Sequence, residues 1–272
     1  MAAHRIAVLK TCKLFIGGAF PRTESGRTSS LRGFLAAILV AGGSCLAADG
    51  NGAPGLLDRL IPWVIDERGQ LEGVPFPEVI RAATGHQVVP LDPSSEPDAR
   101  VVHEIGRALD AVLARMSRPD SPVHNLERIN EASAAFESEL LKTINTVPAL
   151  HCSLPETAAG EAQRSGYPDL RIEHRESRRV YYLDPKLYAR GSRDATFRTF
   201  YYEPKRETNK VREDARHLLA GIEHDGAGGA WRFVRWDLVD LSKLQVRLKM
   251  EFQGSNRDLY RPETIVATGG GQ

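Results

Sequence analysis

The chain predicts an α/β protein, a mixed central sheet flanked by helices, with a helical extension on its N-terminal side. Three observations carry this. Val101, Val102, Ile105, Leu109, Val112, Leu113 and Met116 recur at helical spacing between Pro97 and Ser117, the stripe with which a helix covers a core. Leu170 and Ile172 alternate with polar neighbours, Val180 to Leu183 is β-prone, and polar Glu176-Ser177 lies between them, which reads as a β-hairpin. Leu244, Val246, Leu248, Met250 and Phe252 alternate with polar residues, as in a half-buried strand.

The 272 residues carry 36 basic and 35 acidic side chains, and their composition is that of a globular protein with a substantial core. No stretch reads as a membrane span in the mature chain. Residues 31–49 have the shape of a secretory signal: a basic flank, a short apolar core, and small residues before a cut near Ala47 or Ala48. This predicts a leader over 1–48 and an exported protein, periplasmic or secreted. The sequence ahead of that core is long for a basic leader, so a start set upstream of the true one, giving a cytoplasmic protein, is the alternative. A buried helix or a disordered extension is a third. Lipid anchoring through Cys45 is disfavoured by Gly42, where Leu is wanted.

Cleavage would remove Cys12 and Cys45, leaving Cys152 without a disulfide or cysteine metal site. It would also remove six basic residues and one acidic, leaving 30 against 34, so the charge carries no global nucleic-acid footprint. Between Arg171 and Arg216, however, 13 basic residues stand against 8 acidic ones. Such a local surplus can dock phosphates; it is equally the pattern of a solvated charged surface.

In chain order, Gly-rich Asp49 to Gly55 is a linker. Leu56 to Leu91 is a small helical or mixed segment, with a short helix from Glu78 to Thr84 closed by Gly85. Pro97 to Ser117 is a helix whose stripe is core, His103 and Glu104 being ordinary exposed residues. After the breaker Arg118 to Pro122, Asn125 to Thr146 is the second strong helix. Its apolar arc of Leu126, Ile129, Phe136, Leu140 and Ile144 contains Glu137, with Asn130 and Ser133 close by. A carboxylate on an apolar face needs a partner, because an unpaired buried charge is costly.

Ala149 to Leu154 reads as the first strand, followed by a loop that brings Gln163 and Arg164 beside the hairpin. Beyond the hairpin, Phe197 to Tyr202 is a strand whose Phe200, Tyr201 and Tyr202 are core packing or a stacking surface for unpaired bases. Thr208 caps a helix from Lys210 to His224, with Val211, Ala215, Leu218, Leu219 and Ile222 as its buried stripe. Lys205, Arg206 and Lys210 then sit at a helix entry, which suits a phosphate or plain solubility. Trp231 to Leu241 is another strand, and Thr268 to Gln272 a Gly-rich disordered tail. The expected divisions are 1–48 leader, 49–124 helical N-terminal region, 125–262 core and 263–272 flexible tail.

With Glu176-Ser177 as a two-residue turn, Asp169 lies directly across the ladder from Asp184, and Lys186 points to the same face. Like charges so placed repel unless something positive lies between them. A divalent cation meets that need: Mg²⁺ is usually held by one or two carboxylates with water and substrate phosphate, while a nearby ammonium stabilises charge on the phosphate. This is the chemistry of phosphodiester hydrolysis.

Pro168-Asp169 followed by Asp184-Pro185-Lys186 resembles the PD-(D/E)xK signature of the restriction-endonuclease-like nuclease superfamily. Other Pro-Asp dipeptides occur at Pro97 and Pro119, and a rival Glu-x-Lys at Glu203-Pro204-Lys205, but only Pro168-Asp169 has Asp-x-Lys at hairpin distance. Pro185 departs from an ordinary strand, since proline removes a ladder donor and could shift the register. Over Asn125 to Leu241 the resemblance implies a restriction-endonuclease-like core, Asp169 and Asp184 as ligands of Mg²⁺ (or Mn²⁺), and Lys186 as the group that positions water and stabilises the transition state.

It further implies Glu137 as an accessory ligand, because these folds often set an acid on the helix before the sheet, and DNA as substrate. Candidate DNA contacts are Asn130, Ser133, Arg164, Lys205 and Lys210, the first two contacting substrate or packing. No organic cofactor is implied, and a homodimer is compatible with the sequence. The alternative is a non-catalytic nucleic-acid-binding or structural exported protein that keeps the fold, with Arg171 or Arg179 as salt-bridge partners for the two aspartates. A serine or cysteine hydrolase is disfavoured, because Cys152 and Ser153 have His151 adjacent but no spaced acid.

Overall fold

A computed structural model describes residues 56–66, 71–196, 199–226, 230–249 and 253–267. The expected leader, the 49–55 linker and the 268–272 tail lie outside these residues. Among the described residues no helix is long and apolar enough to cross a membrane. The described chain contains α1 (Leu56–Asp66), β1 (Val74–Pro75), α2 (Phe76–Thr84), α3 (Glu96–Met116), a 3-10 turn (Ile129–Ala132), α4 (Ser133–Ile144), β2 (Leu150–Ser153) and β3 (Leu170–His174). It continues through β4 (Arg179–Ala189), β5 (Arg216–Asp225), β6 (Arg232–Asp240), a 3-10 turn (Leu241–Lys243), β7 (Gln245–Val246) and α5 (Asn256–Leu259).

Two compact units divide these elements. Of the described residues, those between Phe76 and Leu244 form one; the other draws on those before Phe76 and after Leu244. In the second, β1 and β7 form a short antiparallel pair, Val74 opposite Val246, α1 leaves Leu57, Trp63 and Ile65 exposed, and α5 opens on a capping box between Ser255 and Asp258.

The larger unit is the mixed α/β core that the resemblance implies: a five-stranded sheet in the order β2-β3-β4-β5-β6. Only β4 and β5 run parallel. The apolar stripe of α3 joins Phe136, Leu140 and Ile144 of α4 and Leu150, Ile172, Leu183 and Leu218 of the sheet in a single core cluster. Each such side chain contributes about 1.5–3 kcal/mol by leaving water. Helices α2 and α3, which the sequence division set in the N-terminal region, thus lie in the same unit as the sheet.

The hairpin has the expected register. Leu170 pairs with Leu183 and His174 with Arg179, although the connection is Arg175 to Arg178, with Arg178 at φ 57°, rather than the two-residue turn. Pro185 lies beyond the last β3 partner, where β4 has only β5 beside it, so it interrupts no ladder between β3 and β4.

Four elements differ from expectation. Lys210 to His224 is not a helix: its second part is β5, and Thr208 therefore caps nothing. The strand is covered on both faces, and such a strand reads as a nearly continuous apolar run that a helical stripe can mimic. Asn125 to Thr146 becomes helical in the α sense only at Ser133; before it, Trp231 Nε1 donates to Leu126 O and holds the backbone in an irregular path. Residues 199–202 form no strand; Phe200 and Tyr202 instead pack edge-on against Phe76. The strand expected over Leu244 to Gln253 is, among described residues, the two-residue β7.

One buried charge ties the helical layer to the sheet. Asp98, in the first turn of α3 and 1% exposed, accepts from Arg179 Nη1 at 2.9 Å, Arg216 Nε at 3.1 Å, Tyr181 OH and the Asp92 N–H. Burial pushes its carboxyl up, but the Tyr181, Asp92 and Arg179 hydrogen bonds with the Arg216 charge outweigh it, leaving the pKa below the usual value. Removing one partner of such a network leaves the others buried and unanswered. Asp98→Ala should lower unfolding free energy by about 3 kcal/mol, read by urea denaturation; a change under about 1 kcal/mol would show that water serves the two arginines equally well.

Candidate active site

The register of β3 and β4 decides what meets at this end of the sheet. Asp169 enters from just before β3, after the cis Tyr167-Pro168 bond, and Asp184 from inside β4. Lys186, two residues on and therefore on the same face, places its ammonium 2.9 Å from Asp184 Oδ2 and 3.4 Å from Asp169 Oδ2. The positive charge that two opposed carboxylates require is thus Lys186 itself. Arg171 and Arg179 do not take that place: Arg171 pairs with Glu213 and Glu173, Arg179 with Asp98.

Asp184 is 1% exposed, and its Oδ2, although ion-paired, receives no well-formed hydrogen bond. Burial, then the Asp169 charge, pushes its pKa well up, against the pull of Lys186. Glu137 comes from α4, one turn after Ser133, and both line a recess of about 50 Å³ with Arg164, Asp169, Asp184, Lys186, Tyr167 and Tyr201. That volume is room for a small ion and a few waters. Burial, then the Asp169 charge, pushes Glu137 up to about 7. Arg164 answers Glu137, with Nη1 3.3 Å from Oε2 and Nη2 donating to Ser138 Oγ at 3.1 Å.

The other sequence candidates divide. Ser133 and Arg164 line the recess; Asn130 sits in the 3-10 turn and is not among its lining residues. Lys205 pairs with Glu203 at 2.9 Å and lines a neighbouring hollow with Tyr201 and Tyr202. Lys210, expected at the entry of a helix that is not there, is 1% exposed. Its Nζ donates to Gln163 O at 3.1 Å and Arg164 O at 3.4 Å. Burial brings its pKa down to about 8 despite the opposing charges of Asp169, Asp184 and Glu137.

Sequence reasoning passed over Tyr167 and His217, which meet behind the motif with Tyr167 OH 2.7 Å from His217 Nδ1. Burial pushes His217 down to about 3, so the ring is neutral at ordinary pH. Tyr167 could have been noticed as the immediate neighbour of Pro168-Asp169; His217 was hidden by the misassigned helix. Cys152 is excluded as a nucleophile, because burial pushes its thiol up to about 12 and the thiolate is the reactive form.

Among the described residues no three His, Cys, Asp or Glu side chains are gathered closely enough to hold a metal ion by themselves. The donor set nonetheless suits a hard cation, for Mg²⁺ asks only one or two carboxylates and completes its shell with water and phosphate. Asp169 and Asp184 supply oxygens of that kind, and Asp184 Oδ2, ion-paired with Lys186, receives no well-formed hydrogen bond.

The Type II restriction enzyme MjaV family model matches residues 69–263. The Type II restriction enzyme MjaV of Methanocaldococcus jannaschii is 27% identical over 207 residues, which is 72% of this chain and 89% of that protein. The matched span contains Glu137, Arg164, Asp169, Asp184, Lys186 and Lys210. A match over well more than half its length places the chain: it belongs to the Type II restriction enzyme MjaV family.

Proposed function

We propose that the protein is a DNA endonuclease of the PD-(D/E)xK type, hydrolysing phosphodiester bonds with Mg²⁺ or Mn²⁺. The observation that supports this best is the convergence of Asp169, Asp184 and Lys186 on one recess, within a chain whose family is named for a restriction enzyme. Asp169 and Asp184 would hold the cation, with Glu137 as accessory ligand. The cation would polarise the phosphate and supply hydroxide-like water at neutral pH. Lys186 would turn its donors from the carboxylates to the non-bridging phosphate oxygens, where negative charge grows in the transition state. Arg164, half exposed at the rim, and Ser133 are the candidate DNA contacts that line the recess, with Lys205 in the adjoining hollow.

A second reading has one observation in its favour. Lys186 already bridges both aspartates through ion pairs, so the arrangement could persist in a DNA-binding protein without catalysis. Plasmid cleavage in Mg²⁺, Mn²⁺ or EDTA separates the two. The nuclease reading expects cutting in Mg²⁺ or Mn²⁺, none in EDTA, and a fall of about 10²-fold or more in Lys186→Ala. A folded protein that binds DNA but neither binds cation nor cuts would establish the second reading.

The carboxylates also set a pH dependence. Glu137 in the folded protein keeps to about 7 a proton that it would otherwise lose near 4.5. Where the folded state binds more protons than the unfolded, stability falls as pH rises. The cation-free protein should therefore lose about 1–3 kcal/mol from this group between pH 4.5 and 7. Glu137→Gln should melt several degrees above the wild type at pH 8 in EDTA, at roughly 2–4 °C per kcal/mol, with the gap closing toward pH 5. Added Mn²⁺ should raise the wild-type melting temperature more than that of the variant. A gap equal at both pH values would remove Glu137 as its source.

A further inference from the structure

Lys210 is a fully buried lysine whose ammonium reaches only two neutral carbonyls by hydrogen bond. A lysine is almost never buried without an opposite charge, because desolvating an ammonium costs far more than two carbonyls return. Here the opposite charge comes from Asp169, Asp184 and Glu137, all of which act on it. Its own position is fixed from the sheet. Asn209 brackets Val211 through both side-chain atoms, at 3.0 and 3.1 Å, and the Arg212 N–H donates to Tyr182 OH of β4 at 3.1 Å.

The carbonyls that Lys210 holds belong to a loop whose own backbone ties are local: the Gln163 N–H donates to Pro155 O, the Gln163 side chain to Ser165, and Ala162 bridges Glu156. Gln163 and Arg164 have no strand or helix around them, yet Arg164 reaches Glu137 and Ser138, and the chain runs through Gly166, at φ 84°, directly into Asp169. Two ends of the site therefore hang from one segment. Lys186 ties the Asp169 end of that segment to β4; the Gln163 and Arg164 end is tied by Lys210.

We propose that Lys210 is a positioning residue of this site: its ammonium clamps the Gln163 and Arg164 backbone to the sheet, holding Arg164 on Glu137 and Asp169 opposite Asp184 before a cation arrives. This rests on the nuclease reading for its catalytic consequence, but not for the clamp itself. Removing the ammonium leaves the three carboxylates with one buried cation fewer and the Gln163 and Arg164 backbone without its tie to the segment that Tyr182 of β4 holds. Without the clamp Arg164 would lose its place on Glu137 and the approach to Asp169 would loosen, and small displacements of reacting groups are costly in rate.

The test compares Lys210→Met, which keeps the apolar stem, with the wild-type chain by hydrogen exchange in EDTA and by plasmid cleavage across Mg²⁺ concentrations. Peptides covering 161–166 should exchange about tenfold faster or more in the variant, with β4 and β5 unchanged, since a released loop opens locally. The maximal cleavage rate should fall about tenfold or more and the Mg²⁺ needed for half the maximal rate should rise, as misplacement predicts. A lysine that merely supports the fold would lower the melting temperature and leave the cleavage rate of the folded protein alone.

Undiminished protection of 161–166, or lost protection with undiminished cleavage, would overturn the proposal. A wild type that cuts no DNA would instead sink the nuclease reading, while the exchange data still report on the clamp. Should Lys210→Met fail to fold, Lys210→Gln, one atom shorter and still a donor, replaces it. The glutamine variant should lose protection over 161–166 while keeping β4 and β5 protected; full protection there overturns the clamp.

Discussion

The arrangement of this end of the molecule follows from one constraint: Asp169, just before β3, and Asp184, just past the last β3 partner on β4, meet at Lys186, and both are largely withdrawn from water. Opposed carboxylates in a low-dielectric setting cannot both be ionised without compensation. Lys186 provides part of it from the same strand face, Lys210 from beneath the preceding loop, and Arg164 from the rim through Glu137. The site therefore has acids and bases in near balance, and any cation that binds must displace or share part of that compensation.

The sheet makes this juxtaposition dependable. Strand β4 runs on for several residues after β3 has ended, with β5 alone beside it, so the end of β3 delivers Asp169 to a stretch of β4 that is covered on one side only. Proline at 185 fits where no β3 residue pairs. Helix α4 then closes the recess from above with Glu137, while its Phe136 and Leu140 bury in the common core. The polar group is placed by the packing of its apolar neighbours.

The hairpin register and both aspartates were legible because one strand, β3, alternates strictly between faces, and a one-residue slip would have turned Leu170 and Ile172 outward. Helix α3 was legible for the same kind of reason at a different period. Glu137 was legible as a carboxylate out of place on an apolar arc. Segment 210–224 was not, since burial on both sides erases the alternation that separates strand from helix. That error concealed His217 and put Lys210 on the surface. The connection between Lys210 and the 163–164 carbonyls spans distant parts of the chain, and no local pattern encodes it.

The Asp98 network gives β4 two ends of opposite temperament. At its start, Arg179 and Tyr181 hold an aspartate whose pKa lies below the ordinary value, so that contribution is present above about 4 and fades as acid protonates it. Farther along the same strand, Asp184 and its neighbour Glu137 are shifted upward and weaken the fold when they ionise. Acid therefore loosens the anchoring of α3 while it relaxes the recess, and alkali does the reverse. Without a cation, the two ends of a single strand ask for different pH values.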